Sequence, residues 1–128
     1  MRDHRERPAL LAPILGIVFI VAGVLHFARP APYVSIVPPW LPDPELLVAL
    51  SGVAEVLGGA GLLIPRTRRP AAIGLIALLV AVFPANVQMA IDPSGAGRGV
   101  PDPLLWARLP LQPLLAWLVW RAARPRTE

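Results

Sequence analysis

Apolar positions fall in four long runs, 9–27, 45–64, 71–91 and 104–120, of 19, 20, 21 and 17 residues. Each is close to the roughly 20 residues that a helix needs to cross a hydrocarbon core about 30 Å thick. A proline precedes every run (Pro8, Pro44, Pro70, Pro103), and proline suits a first helical turn because its missing N–H would have no intrahelical partner there. Asp43 and Asp102 stand just before two of these prolines as expected N-caps. The pattern predicts an all-α chain, a four-helix transmembrane bundle forming one domain over residues 1–128. The first connection, 28–44, carries six prolines among Val34, Ile36, Val37, Trp40 and Leu41. It is expected to form no regular helix and to lie on the outer membrane face, either as a lid over the bundle or as a plain interfacial loop. The connection 92–103, DPSGAGRGVPDP, reads as flexible.

Charge orients the bundle. All 12 positive side chains are arginine. Nine of them (Arg2, Arg5, Arg7, Arg66, Arg68, Arg69, Arg121, Arg124, Arg126) fall on one side of the predicted membrane. The other side has Arg29 and Arg98 with four acids, Asp43, Glu45, Asp92 and Asp102. The excess of arginine marks the cytoplasmic side, so both termini are expected there, in a bacterial-type plasma (inner) membrane. Trp40 and Trp106 then mark the outer interface, Trp117 and Trp120 the inner one. In the short inner turn, PRTRR reads as a stop signal and a contact for anionic lipid.

Composition narrows the function classes. With 55% hydrophobic and 16% charged residues the chain is too apolar for a water-soluble fold of this size. The absence of cysteine removes disulfides, thiolate metal sites, covalent c-type haem and Cys-x-x-Cys redox chemistry. The net charge of +4 and pI near 11.3 follow from arginines at membrane boundaries, so a nucleic-acid partner is not expected. A signal peptide is the weaker reading of the first run, which exceeds the roughly 7–15 residues of a typical apolar signal core.

Few side chains inside the runs are strongly polar: His26, Ser51, Glu55, Asn86, Gln88, Arg108 and Gln112. All fall in the outer half or at the midplane of the predicted membrane. Glu55 lies ten residues after Glu45, about 15 Å deep at a rise of about 1.5 Å per residue. A bare charge at that depth costs at least roughly 2.5–3.5 kcal/mol, so the carboxylate must be paired, protonated or beside water. Ser51 and Glu55 share a face of the second helix, Arg108 and Gln112 a face of the fourth, and Gln112 is level with Glu55. Both helices begin outside and their side chains lean toward the N-terminus, so a Glu55–Arg108 contact, direct or through Gln112 or water, is expected. Pro84, Pro110 and Pro113 free the carbonyls of Val80, Trp106 and Leu109, which fits a pocket opening outward. The candidate pocket is therefore Glu55, Arg108, Gln112, Asn86, Ser51 and His26. The plainer alternative is that the amides hold helices together while Gly52, Gly58, Gly59 and Gly61 allow close approach. For His26 the plainer reading is a solvated or satisfied residue at the end of the first helix. It is poorly placed as a haem ligand, because His4 lies in the cytoplasmic tail and a second axial ligand would have to be Met89 or come from another chain. No metal spacing is present.

The motifs HFARP, VPPWLP, SGVAEVLGGAGLLIPRTRR, VFPANVQMA and RLPLQ together resemble the DoxX-like small membrane proteins over nearly the whole chain. That resemblance implies a four-helix integral membrane bundle, and in some relatives a membrane subunit of thiosulfate:quinone oxidoreductase or a partner of redox systems. It carries no catalytic residues to this sequence. Three functions are expected in descending order: an accessory subunit of a membrane redox system binding a quinone or similar small amphiphile; a non-enzymatic scaffold stabilising a partner protein; and a small-anion transporter guided by Arg108, which would need a homo-oligomer. No nucleotide loop, thiol pair or metal cluster is visible, so independent catalytic activity is not expected.

Overall fold

Each apolar run forms a long helix in the computed structural model, which describes residues 7–92, 99 and 101–124. Over these residues the chain is all-helical: α1 (Arg7–Ala28), α2 (Pro30–Val34), α3 (Pro44–Leu63), α4 (Arg68–Ile91) and α5 (Asp102–Ala122), with a 3-10 turn at Pro65–Thr67. The expected positions of Arg2, His4, Arg5, Arg98 and Arg126, and the flexible reading of 93–98, lie outside the described residues. Three helical stretches, Leu10–Ala28, Pro44–Leu63 and Pro65–Ile91, are long and apolar enough to cross a membrane. The fourth expected span forms α5 but does not join them. Asp102, Arg108, Gln112 and Arg121, with Pro110 and Pro113, dilute its hydropathy.

The long helices run antiparallel in succession, and α1 and α3 make the closest contact. Gly16 faces Gly59 and Gly23 faces Gly52, so a Cβ on Gly59 would lie 2.5 Å from the Gly16 carbonyl oxygen, and one on Gly23 2.7 Å from that of Gly52. Each glycine pair is spaced seven residues apart on its helix, the period that keeps one seam in contact between helices crossing at a shallow angle. Gly58 and Gly61 turn to the other side, where added Cβ atoms would meet Leu75 and Ala71 of α4. Helix α3 thus sits between α1 and α4, and its small residues serve both neighbours, as expected of Gly52, Gly58, Gly59 and Gly61. Their partners Gly16 and Gly23 were not singled out by the sequence.

Two apolar clusters close the ends of the interior. One joins Leu15, Phe19, Leu62, Ala72, Leu75, Leu79 and Val119 from all four long helices; the other joins Met89, Ala90 and Leu105, with Ile36 and Leu109 packed on it. The first lies at the end that carries Arg66, Arg68, Arg69, Arg121 and Arg124, the second at the end that carries Asp43, Glu45, Asp92 and Asp102. These are called the arginine end and the acidic end below. Large apolar side chains also cover the outside: Ile14, Ile17, Val21, Leu50, Leu57, Ile73 and Val80 are all exposed.

The connection between α1 and α3 differs from expectation in containing a helix, α2. Its two prolines, Pro30 and Pro32, both stand within the first three positions, where no intrahelical donor is needed. Ile36 carries this connection onto the cluster at the acidic end. Asp43 takes the expected N-cap position of α3, though in a left-handed conformation (φ 48°) and without a side-chain cap bond, whereas Asp102 is the first residue of α5, with Pro101 at the cap position. The helices continue through Pro13, Pro84, Pro110 and Pro113.

The glycine seam makes a direct prediction. Gly59→Ala drives a methyl group into the α1 backbone and is expected to cost about 1–3 kcal/mol, read as a lower unfolding midpoint in detergent. Gly74→Ala meets nothing within 4 Å and is expected to be neutral or mildly stabilising; equal losses in both variants would rule out the seam.

Polar residues at core positions as candidate functional site

The inward stripes of the four long helices share one irregularity. On α1 the stripe runs Ala12, Phe19, His26; on α3, Val48, Glu55, Leu62; on α4, Ala72, Leu79, Asn86; on α5, Leu105, Gln112, Val119, each with a step of seven residues. Every apolar member is buried. A seven-residue step returns to nearly the same face of a helix, so His26, Glu55, Asn86 and Gln112 occupy core positions. Along their helices all four lie beyond the cluster at the arginine end and toward the cluster at the acidic end. The molecule therefore carries apolar side chains on its outside and, between two buried apolar clusters, one half-buried polar side chain at a core position of each long helix.

His26 and Glu55 meet at these positions, with His26 Nδ1 3.2 Å from Glu55 Oε2 and their side chains only 12% and 15% exposed. The backbone explains why. Helical side chains lean toward their own N-terminus, and across an antiparallel pair those leanings converge. Glu55 reaches toward the acidic end while His26 reaches back from it, and the glycine seam leaves no bulk between them. His26 Nδ1 also lies 2.7 Å from the Ala22 carbonyl oxygen. Two acceptors on one nitrogen require that Nδ1 carry the hydrogen, which it donates to Ala22. Nε2 is then the ring nitrogen with a free lone pair in the neutral imidazole. Tyr33 of α2 stacks on the ring, with centroids 4.0 Å apart and planes inclined by 19°. Glu55 Oε2 lies off the N–H direction and has no hydrogen-bond donor among the described residues; the same holds for the buried Gln112 Oε1.

The expected partnership of Glu55 with Arg108 does not form. Arg108 is exposed on α5 and its guanidinium donates to Met89 Sδ at 3.3 Å, at the acidic end of α4. A common depth does not place two residues in contact when they sit on different helices; here α1, not α5, faces Glu55. Ser51 stays on the half-buried side of α3, but its hydroxyl donates to the Val48 carbonyl at 2.9 Å within the same helix. Gln88 is half-buried on α4. Sequence reasoning missed Tyr33, whose signal was the short spacing from His26 through a proline-initiated turn. It also missed the His26–Glu55 pairing, for which the matched seven-residue spacing of Gly16 and Gly23 with Gly52 and Gly59 was the available clue.

Gln112 also opens toward the outside. With Leu79, Val80, Phe83, Pro113 and Ala116 it lines an apolar groove of about 300 Å³ between α4 and α5. Among the described residues no group of three or more His, Cys, Asp or Glu side chains could hold a metal ion. Chemically, the arrangement offers an oriented imidazole beside a carboxyl group and, between α4 and α5, an apolar groove with one amide residue, Gln112, in its lining. That is equipment for holding a small polar head on an apolar body and for taking up a proton.

Fold and site together define a class: an all-helical protein with helices long and apolar enough for a membrane and ionisable side chains enclosed among them. The chain belongs to the family of a domain of unknown function, DUF8561, whose model matches residues 15–123. No curated protein and no solved structure matches it.

A buried acceptor that lacks a donor costs about 1–3 kcal/mol. Glu55→Leu, which completes the apolar stripe between Val48 and Leu62, is therefore expected to raise the unfolding midpoint in detergent. A lower midpoint would show that the His26–Glu55 contact is held for stability.

Proposed function

We propose that this chain is an integral membrane protein whose four long helices all span the bilayer, with both termini cytoplasmic, and that it serves as an accessory subunit of a membrane redox system. Its ligand is a quinone or a similar small amphiphile. The observation that carries this reading is the His26–Glu55 pair, an ionisable couple at core positions of apolar helices, where such residues are costly and mark proton or ligand paths. Lipid-soluble quinones exchange protons along with electrons, and the free Nε2 of His26 provides an acceptor for a hydroxyl proton, with a carboxyl group beside the ring to offset the charge gained. Electrons would pass to or from a redox protein partner. The groove between α4 and α5, with Gln112 in its lining, suits an apolar ring or tail. In this reading α5 spans the membrane by turning Gln112 inward, the arginine end faces the cytoplasm of a bacterial-type plasma membrane, and the resemblance to DoxX-like proteins points the same way.

One observation favours a second reading, a non-enzymatic scaffold that stabilises another membrane protein. Arg108 is exposed six residues beyond Asp102, a depth of about 9 Å, where another protein would receive a guanidinium better than lipid does.

Purification in mild detergent followed by extraction and quantification of bound quinone separates the two. The redox reading expects retained quinone, loss of most of it in Gln112→Leu, and in Glu55→Gln normal retention with slowed proton-coupled oxidation of the quinol form by an added electron acceptor. No quinone retained, and none bound on addition, would leave the scaffold reading in place.

A further inference from the structure

The arginine end holds a second feature that the polar core positions do not use. Arg69 near the start of α4 and Arg124, just past the end of α5, line one pocket of about 150 Å³ together with Trp120 and Ala123. Their neighbours are occupied elsewhere: Arg68 Nε donates to the Leu62 carbonyl at 2.7 Å, and the Arg121 guanidinium lies over the Trp117 ring, 5.3 Å from its centroid. Arg69 and Arg124 are exposed and pair with no carboxylate among the described residues. All the acids outside the helix interiors of the described chain stand at the opposite end.

We infer that this pocket binds a phosphate group, and that its source is the headgroup of an anionic phospholipid. Two arginines lining one small concavity can bind phosphate oxygens through paired, charge-assisted hydrogen bonds. The volume suits a single phosphate group. Trp120 supplies an amphipathic ring at the boundary of an apolar helix, where acyl chains begin below a headgroup. The PRTRR turn alone announces positive charge near lipid; the pocket singles out one arginine of that turn and pairs it with a residue 55 positions later.

The test uses the full chain, delipidated in a neutral detergent, with added phosphatidylglycerol, phosphatidylcholine or inorganic phosphate at matched ionic strength, bound lipid being counted by native mass spectrometry and phosphate by equilibrium dialysis. Phosphatidylglycerol is expected to bind at least about tenfold more tightly than phosphatidylcholine, and the Arg69→Gln/Arg124→Gln double variant to lose about that factor. Arg66→Gln, at an exposed arginine outside the pocket, is expected to keep wild-type affinity; helical circular dichroism confirms that each variant is folded. Equal losses in both variants would indicate diffuse attraction and overturn the site. Inorganic phosphate binding with the affinity of phosphatidylglycerol would overturn the lipid as source, and equal affinity for the two lipids would overturn the preference for net negative charge.

Discussion

The contact between the α1 and α3 backbones is the constraint on which the rest of the interior depends. Without side chains at Gly16, Gly23, Gly52 and Gly59, the two helices approach until carbonyl oxygens lie where Cβ atoms would be. Close approach permits van der Waals packing between helices in surroundings as apolar as their own surfaces, where hydrophobic association supplies little. It also fixes an antiparallel register, and that register brings His26 to Glu55. Bulk at the seam would separate the helices and the pair with them.

Around that contact valine, leucine and isoleucine face outward, while His26, Glu55, Asn86 and Gln112 take one core position on each long helix. A buried carboxyl oxygen and a buried amide oxygen without donors are expensive in such a setting. Stability alone gives no reason to retain them, since leucine or valine fills the equivalent positions on either side. Retention of groups that weaken a fold is typical of places where a ligand or a proton completes the arrangement. The two ends of the molecule divide the remaining work: the acidic end is closed by the proline-rich connection through Tyr33 and Ile36, and the arginine end presents cations to the boundary of the apolar layer.

Much of the helical architecture was legible because it rests on local rules. Run length placed the helices within a few residues, and prolines at first turns placed their starts. The glycines of α3 announced close packing. Of the capping aspartates, Asp43 took its position but not its side-chain bond, because that bond depends on the backbone angles of the connection and Asp43 is left-handed there, and Asp102 fell one residue inside α5. Helix α2 escaped notice because a count of prolines hides their positions within the turn. At the site, the residue types were legible and their pairing was not. Depth in the membrane suggested Glu55 with Arg108, whereas helix adjacency gave Glu55 to His26 and sent Arg108 to Met89.

By itself the sequence determined where the four long helices lie, the apolar character of the three that are long and apolar enough to cross a membrane, and which few polar residues they carry. Those properties follow from composition and spacing along one chain segment at a time. Only the tertiary structure decided which helix each enclosed residue faces, that Nδ1 of His26 is committed to Ala22, and that Arg69 and Arg124 share a pocket. Partners across a helix interface are set by register and crossing geometry, and these depend on both surfaces together.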